Sequence, residues 1–210
     1  MTNPVLDTVR RSLGRTAQTP LGPRPAIFAP RPAAALDSEA ACFLDEVTKV
    51  SGVAQWITPS TMESAFQTLV AEQKIQKATV WETASLRQWG VAGMLNTLGV
   101  ELVAPNVGKH EMALCDLGVT EADYLLAETG TLVLRSSAEK PRAVSLLPRI
   151  HLAVVRPEQL RADLHQVFAE AKDSHYLVFI TGPSRTSDIE LTVTLGMHGP
   201  KNLFVWMVGK

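Results

Sequence analysis

Apolar residues follow two rhythms along this chain, one at helical spacing and one in short continuous runs. Over residues 3–13, Val5, Leu6, Val9 and Leu13 share one side of a helical projection while Arg10, Arg11 and Arg15 share the other, which predicts a short amphipathic helix. Residues 19–32 carry Pro20, Pro23, Pro25, Pro30 and Pro32, which predicts an extended strap. From Leu36 onward the two rhythms alternate. Cys42, Phe43, Val47 and Val50 predict a helix stopped by Gly52, and residues 53–58, 78–81 and 101–105 read as strands. Helices are expected between them, one through Phe66, Leu69 and Val70 and one over residues 85–98.

The middle departs from this rhythm. Residues 123–135 hold two apolar runs around Glu128-Thr-Gly-Thr131, which predicts two strands joined by a tight turn or one strand broken by a glycine bulge. Beyond it the alternation resumes: a short helix over 142–147, a strand over 150–155, and a helix opened by Pro157 with Leu160, Leu164, Val167 and Phe168 inward. A buried strand over 176–180 and a last strand over 203–208 complete the pattern. Strands alternating with helices predict a largely parallel α/β sheet covered on both faces, occupying residues 36–210 behind an arm of residues 1–35.

Composition narrows the function. The 210 residues are 46% hydrophobic and 20% charged, with a formal net charge of -1. That balance supplies a core and no positive footprint, so nucleic-acid binding is not expected. No apolar stretch approaches the ~18 residues needed to cross a bilayer, and the first residues lack an apolar signal core, so a cytoplasmic protein without a membrane association is expected. Cys42 and Cys115 are the only cysteines. They cannot by themselves build a four-cysteine cluster or zinc site, and their apolar neighbours predict buried packing roles. The five histidines show no metal-ligand spacing, so no metal is expected, and the chain carries no phosphate-loop or dinucleotide fingerprint that would name a cofactor.

The densest polar group is Thr181-Gly-Pro-Ser-Arg-Thr-Ser-Asp-Ile-Glu190, after the apolar run of 176–180. If that run is a strand of an open α/β sheet, the loop after it lies where such sheets bind ligands. Gly182, Ser184, Arg185 and Thr186 would cradle a small carboxylate or phosphate, with Glu190 beside them. The plain alternatives are a Gly-Pro turn that caps a helix, and an Arg185–Asp188 pair across one helical turn. Gly196-Met-His-Gly-Pro200 adds a titratable His198 next to Gly199. Glu128, on a turn with Thr129, Gly130 and Thr131, would have a raised pKa if its apolar flanks buried it. Glu128, Asp188 and His198 are therefore the candidate acid–base residues, with Glu128 foremost. His151 opens a strand and could approach the site from the side.

Taken together, Ala127-Glu-Thr-Gly-Thr131, Leu147-Pro-Arg-Ile-His151, the 182–190 string and Gly196-Met-His-Gly-Pro200 resemble the lactate-utilisation (LUD) domain family, in its stand-alone protein C type. The resemblance implies a Rossmann-like three-layer sandwich akin to the phosphosugar-isomerase and CoA-transferase group. It also implies a part in oxidising L-lactate to pyruvate beside iron–sulfur partner proteins. Two kinds of function follow. One is a subunit that binds or converts a small anionic metabolite, a 2-hydroxy or 2-oxo acid or a phosphosugar, with Arg185 on the carboxylate. The other is a non-catalytic assembly or regulatory subunit in which the N-terminal arm docks on partners.

Overall fold

The computed structural model describes residues 4–16, 22, 32–174, 176–187 and 193–209. The chain divides into two compact units, Met1–Pro30 and Arg31–Lys210. The first contains helix α1 (Pro4–Ser12), with an Asp7–Arg10 ion pair at 3.2 Å. The proline-rich stretch lies almost wholly outside the described residues, so the expected strap does too.

The second unit opens with α2 (Leu36–Lys49), which packs along β1 (Val53–Ile57). Then come α3 (Met62–Gln73), β2 (Lys77–Val80), α4 (Ala84–Gln88), α5 (Val91–Thr97), β3 (Glu101–Val103), α6 (Lys109–Met112) and β4 (Leu117–Thr120). A second series follows: β5 (Tyr124–Leu126), β6 (Thr131–Arg135), α7 (Ala143–Leu146), β7 (Ile150–Val155), β8 (Leu160–Arg161), α8 (Leu164–Glu170) and β9 (Leu177–Thr181). The chain ends with β10 (Arg185–Ser187), β11 (Val193–Leu195) and β12 (Asn202–Val208).

Six strands form one all-parallel sheet in the order β1-β12-β7-β4-β2-β3. Strands covered on both faces read as continuous apolar runs, and all six residues of β7 are buried. On one face α3 sets Phe66 edge-on against Trp206 of β12, ring centroids 4.7 Å apart. On the other, α7 lies so close to Gly118 of β4 that any β-carbon there would overlap the Val144 carbonyl oxygen. Register pairs Gly118 with His151, and His151 with Leu203 of β12, so the pleat puts these three on the α7 face and Trp206 on the α3 face. Helix, sheet and helix give the expected three-layer α/β architecture.

A second sheet, β8-β5-β6-β9, mixes parallel and antiparallel pairs, and β10 and β11 form a separate antiparallel hairpin. The 123–135 stretch is two strands, β5 and β6, joined by a turn with Gly130 at φ 61.

Several expectations are corrected. The helix over 85–98 is two helices, because Gly90 takes a left-handed φ of 69 and restarts the chain as α5. Pro157 opens one 3-10 turn (Pro157–Gln159) and then β8. The helix starts only at Leu164, where the Asp163 carboxylate accepts the Gln166 N–H at 3.0 Å. The run after Tyr176 belongs to β9 in the second sheet, antiparallel to β6 and partly exposed, instead of a buried strand of the parallel sheet. No strand was expected at β4, which sits beside β7. Cys42 is exposed, on the flank of a helix whose Ala40, Phe43 and Val47 face inward, whereas Cys115 is buried as expected.

The Gly118 contact yields a test. Gly118→Ala should lower stability to urea by roughly 1–3 kcal/mol, the usual cost of forcing a methyl into a filled core. A variant as stable as the parent would mean that α7 does not rest on β4 as described.

Candidate functional site

Three of the motif strings meet at the amino-terminal ends of β7 and β12. Leu147 to His151 carries α7 into β7, residues 196–200 feed β12, and residues 182–184 leave β9. Backbone bonds tie them together: Ser184 N–H to the Pro200 carbonyl at 2.9 Å, Gly196 N–H to the Ser184 carbonyl at 2.9 Å, and Lys201 N–H to the Arg149 carbonyl at 2.8 Å. Gly199 is pressed against Ser184, whose own β-carbon would stand 3.1 Å from one added at Gly199. Between these segments lies a cleft of about 220 Å³. Its polar lining includes Ser145, His151, Thr181, Ser184 and His198, and its apolar lining includes Val178, Ile180 and Leu203.

His151 is the most unusual group there. It is 1% exposed, and its Nε2 is 2.8 Å from the Thr120 hydroxyl. Its Nδ1 is buried without a hydrogen-bond partner among the described residues. Native interiors rarely leave a polar atom so, because the desolvation penalty then goes uncompensated. Burial also pushes its pKa down from 6.5 to about 3, so the imidazole is neutral at physiological pH.

The other strings flank this cleft. At the β5–β6 turn, the Thr129 and Thr131 hydroxyls are 2.7 Å apart, and Thr131 is 2.7 Å from Thr181 across the β6–β9 register. Two left-handed glycines hold both turns against the end of α2. A β-carbon on Gly130 would lie 2.5 Å from the Val47 nitrogen, and one on Gly182 would overlap the Val50 carbonyl oxygen. Arg185 donates to that same carbonyl.

The predicted residues therefore separate. Gly182, Ser184, His198 and Gly199 line the cleft. Arg185 is exposed on the α2 side and Thr186 pairs with Thr194 in the hairpin, neither among the lining residues. Glu128 and Thr129 are exposed at their turn, so the apolar flanks of Glu128 do not bury it, while Gly130 and Thr131 are buried. Asp188 and Glu190 lie outside the described residues. The loop does not stand beyond the carboxyl ends of the parallel strands, because the strand feeding it belongs to the second sheet. Sequence reasoning underrated His151 and passed over Ser145 and Thr181. The signal for His151 was its place at the start of a strand, where it closes a Pro-Arg-Ile-His string and could approach the site from the side. Among the described residues no three His, Cys, Asp or Glu side chains stand close enough to hold a metal ion, and no helix is long and apolar enough to cross a membrane.

The model of the LUD domain matches residues 41–208, most of the chain, from within α2 to the end of β12. The chain belongs to the LUD domain family. Its relatives include lactate utilization protein C of Halalkalibacterium halodurans, 30% identical over 167 residues that cover 74% of this chain and 73% of the relative. Lactate utilization protein C of Shouchella clausii is 28% identical over 210 residues, covering 93% and 92%. A crystal structure of a DUF162 family protein from Deinococcus radiodurans superposes with a TM-score of 0.64 over 84% of this chain and 100% of that chain. At 19% identity that likeness speaks to the LUD fold alone.

The buried imidazole predicts a pH dependence. Its folded pKa lies below the ordinary 6.5, so the unfolded chain takes up a proton that the folded chain refuses. The stability this group contributes is full above pH 6.5 and is lost as pH falls from there towards 3. Urea titrations at pH 7 and pH 5 should show the wild type losing about 1 kcal/mol per pH unit more than His151→Gln. Equal losses in the two proteins would mean that His151 is solvated.

Proposed function

We propose that this chain serves a lactate-utilisation system, in which L-lactate is oxidised to pyruvate together with iron–sulfur partner proteins. Its own contribution is to bind a small 2-hydroxy or 2-oxo acid in the cleft at the amino ends of β7 and β12. The names borne by its LUD relatives support the system. The observation that carries the ligand is the buried, unpartnered Nδ1 of His151.

A neutral imidazole held through Nε2 by a threonine hydroxyl suits this pair of acids. The hydroxyl of Thr120 either accepts from Nε2–H or donates to bare Nε2, and the choice sets the role of Nδ1. With the proton on Nδ1, the ring donates to the 2-oxo oxygen of a keto acid. With the proton on Nε2, it accepts from the 2-hydroxyl of the corresponding hydroxy acid. Ser184 and His198 line the same cleft and offer polar groups to the carboxylate, while Val178, Ile180 and Leu203 accommodate a short apolar chain. Arg185, bonded to Val50, fixes the 182–184 turn against α2 and so shapes the cleft from behind.

Thermal unfolding in the presence of L-lactate, pyruvate and propionate tests this reading on the wild type, His151→Leu and Ser184→Ala. A hundredfold excess over the dissociation constant should stabilise the wild type by ~3 kcal/mol. At one shared concentration the gain should be largest for the two acids carrying a 2-oxygen, and it should vanish in a folded His151→Leu. A gain that survives both substitutions would move the ligand elsewhere, and a wild type indifferent to all three acids would remove the small-acid reading.

A further inference from the structure

The parallel sheet has a second cleft at its other end. Leaving aside excursions into the second sheet, the chain steps outward from β2 to β3, then returns past β2 to β4 and continues through β7 to β12. Its direction reverses between β2 and β4, and open parallel sheets bind ligands beyond the carboxyl ends at such a reversal. Here Ser85 comes after β2, Glu121 and Asp123 after β4, and Arg156 and Glu158 after β7, around an opening of about 620 Å³. Apart from elements of the sheet between them, this opening shares no lining residue with the His151 cleft.

Most charges around it are already engaged. Asp123 accepts from Lys140 at 2.9 Å and from the Arg135 N–H at 2.7 Å, and Arg161 grips both Glu170 oxygens at 2.8 Å. Three groups are not so engaged. Glu121 is 7% exposed, yet its carboxylate accepts no hydrogen bond from the described residues. Its cation is Arg156 at 3.8 Å, beyond hydrogen-bonding distance. The Arg156 guanidinium lies over the Trp89 ring at 5.7 Å, which orients it at the rim. Glu158 is the third, again with no hydrogen bond to its carboxylate among the described residues. A carboxylate that is nine-tenths buried keeps its charge at a cost unless hydrogen-bond donors surround it.

We propose that this cleft binds a small zwitterion, an α-amino acid, with its carboxylate on Arg156 and its ammonium on Glu121 and Glu158. One cation beside two carboxylates selects the charge pattern. A simple acid anion would meet two like charges and one opposite charge. A 2-hydroxy acid would give Glu121 one O–H and leave its charge uncompensated. An ammonium group brings three N–H donors and the opposite sign, while the adjacent carboxylate takes the fork of the arginine. The Arg156 side chain is 44% exposed, so it has room to open away from Glu121 as the ligand enters.

Isothermal titration of the full chain tests this with L-alanine, L-serine, L-glutamate and L-phenylalanine. The comparison ligands are L-lactate, propionate and ethylamine, each lacking one charge of L-alanine. At least one amino acid should bind saturably, and at least tenfold more tightly than the three comparison ligands do at this site. Glu121→Gln and Arg156→Gln should each weaken that binding at least tenfold, and His151→Leu should leave it unchanged, which separates this site from the lactate cleft. Wild-type protein alone decides the main point if either variant fails to fold. Saturable binding by no amino acid overturns the site, as does binding indifferent to both substitutions. L-lactate binding as tightly as the best amino acid, and equally sensitive to Glu121→Gln, overturns the zwitterion assignment.

Discussion

Backbone lies directly against backbone at three glycines, and the arrangement around the motif cleft depends on that contact. Gly118 lets α7 rest on β4, while Gly130 and Gly182 let two turns close on the last turns of α2. The last two hold left-handed conformations that a side chain would strain, in addition to the collision it would cause. Interiors packed to crystalline density leave no slack at such places. Displacing α2 would therefore move the β5–β6 turn, the 182–184 turn and the Arg185 anchor together. The AETGT and TGPSR strings thus serve at least as much to join a helix to two strands as to present side chains.

Much of the fold was legible in the sequence because doubly covered strands must be apolar throughout. The runs at β2, β7 and β12 announced themselves that way, whereas β1, at the sheet edge, is largely exposed. β4 did not, since four residues including a glycine and a threonine carry no period, although all four are buried. The run Leu177-Val-Phe-Ile180 shows the opposite failure. A local apolar stretch declares a strand but not its partners, and these residues pair with β6 instead of with the parallel sheet. That single misplacement put the motif loop at the wrong end of the molecule.

The candidate site was legible as strings more than as geometry. Gly182, Ser184, His198 and Gly199 do come together, since Gly-Pro turns are where chain reversals bring segments into contact. Arg185 and Glu128 were chosen for their chemistry, and neither lines the cleft, because the direction a side chain takes from a turn depends on tertiary packing. His151 was legible as a residue that opens a strand and reaches the site from the side, but not as a buried one. Its burial comes from Thr120, Gly118, Leu203 and α7 converging from segments far apart in sequence, which no local pattern records.

Strand β7 gives the two ends of the sheet a common member. His151 is its second residue, and Arg156 follows its last, five residues further on. At ~3.3 Å per residue that is a separation of about 16 Å, along a strand that is buried throughout. A three-carbon acid cannot span that distance, so two such ligands would not compete by overlap. Were both filled at once, a displacement of β7 along its own axis would be felt at each, as would one of β4, whose Thr120 holds His151 and whose next residue is Glu121.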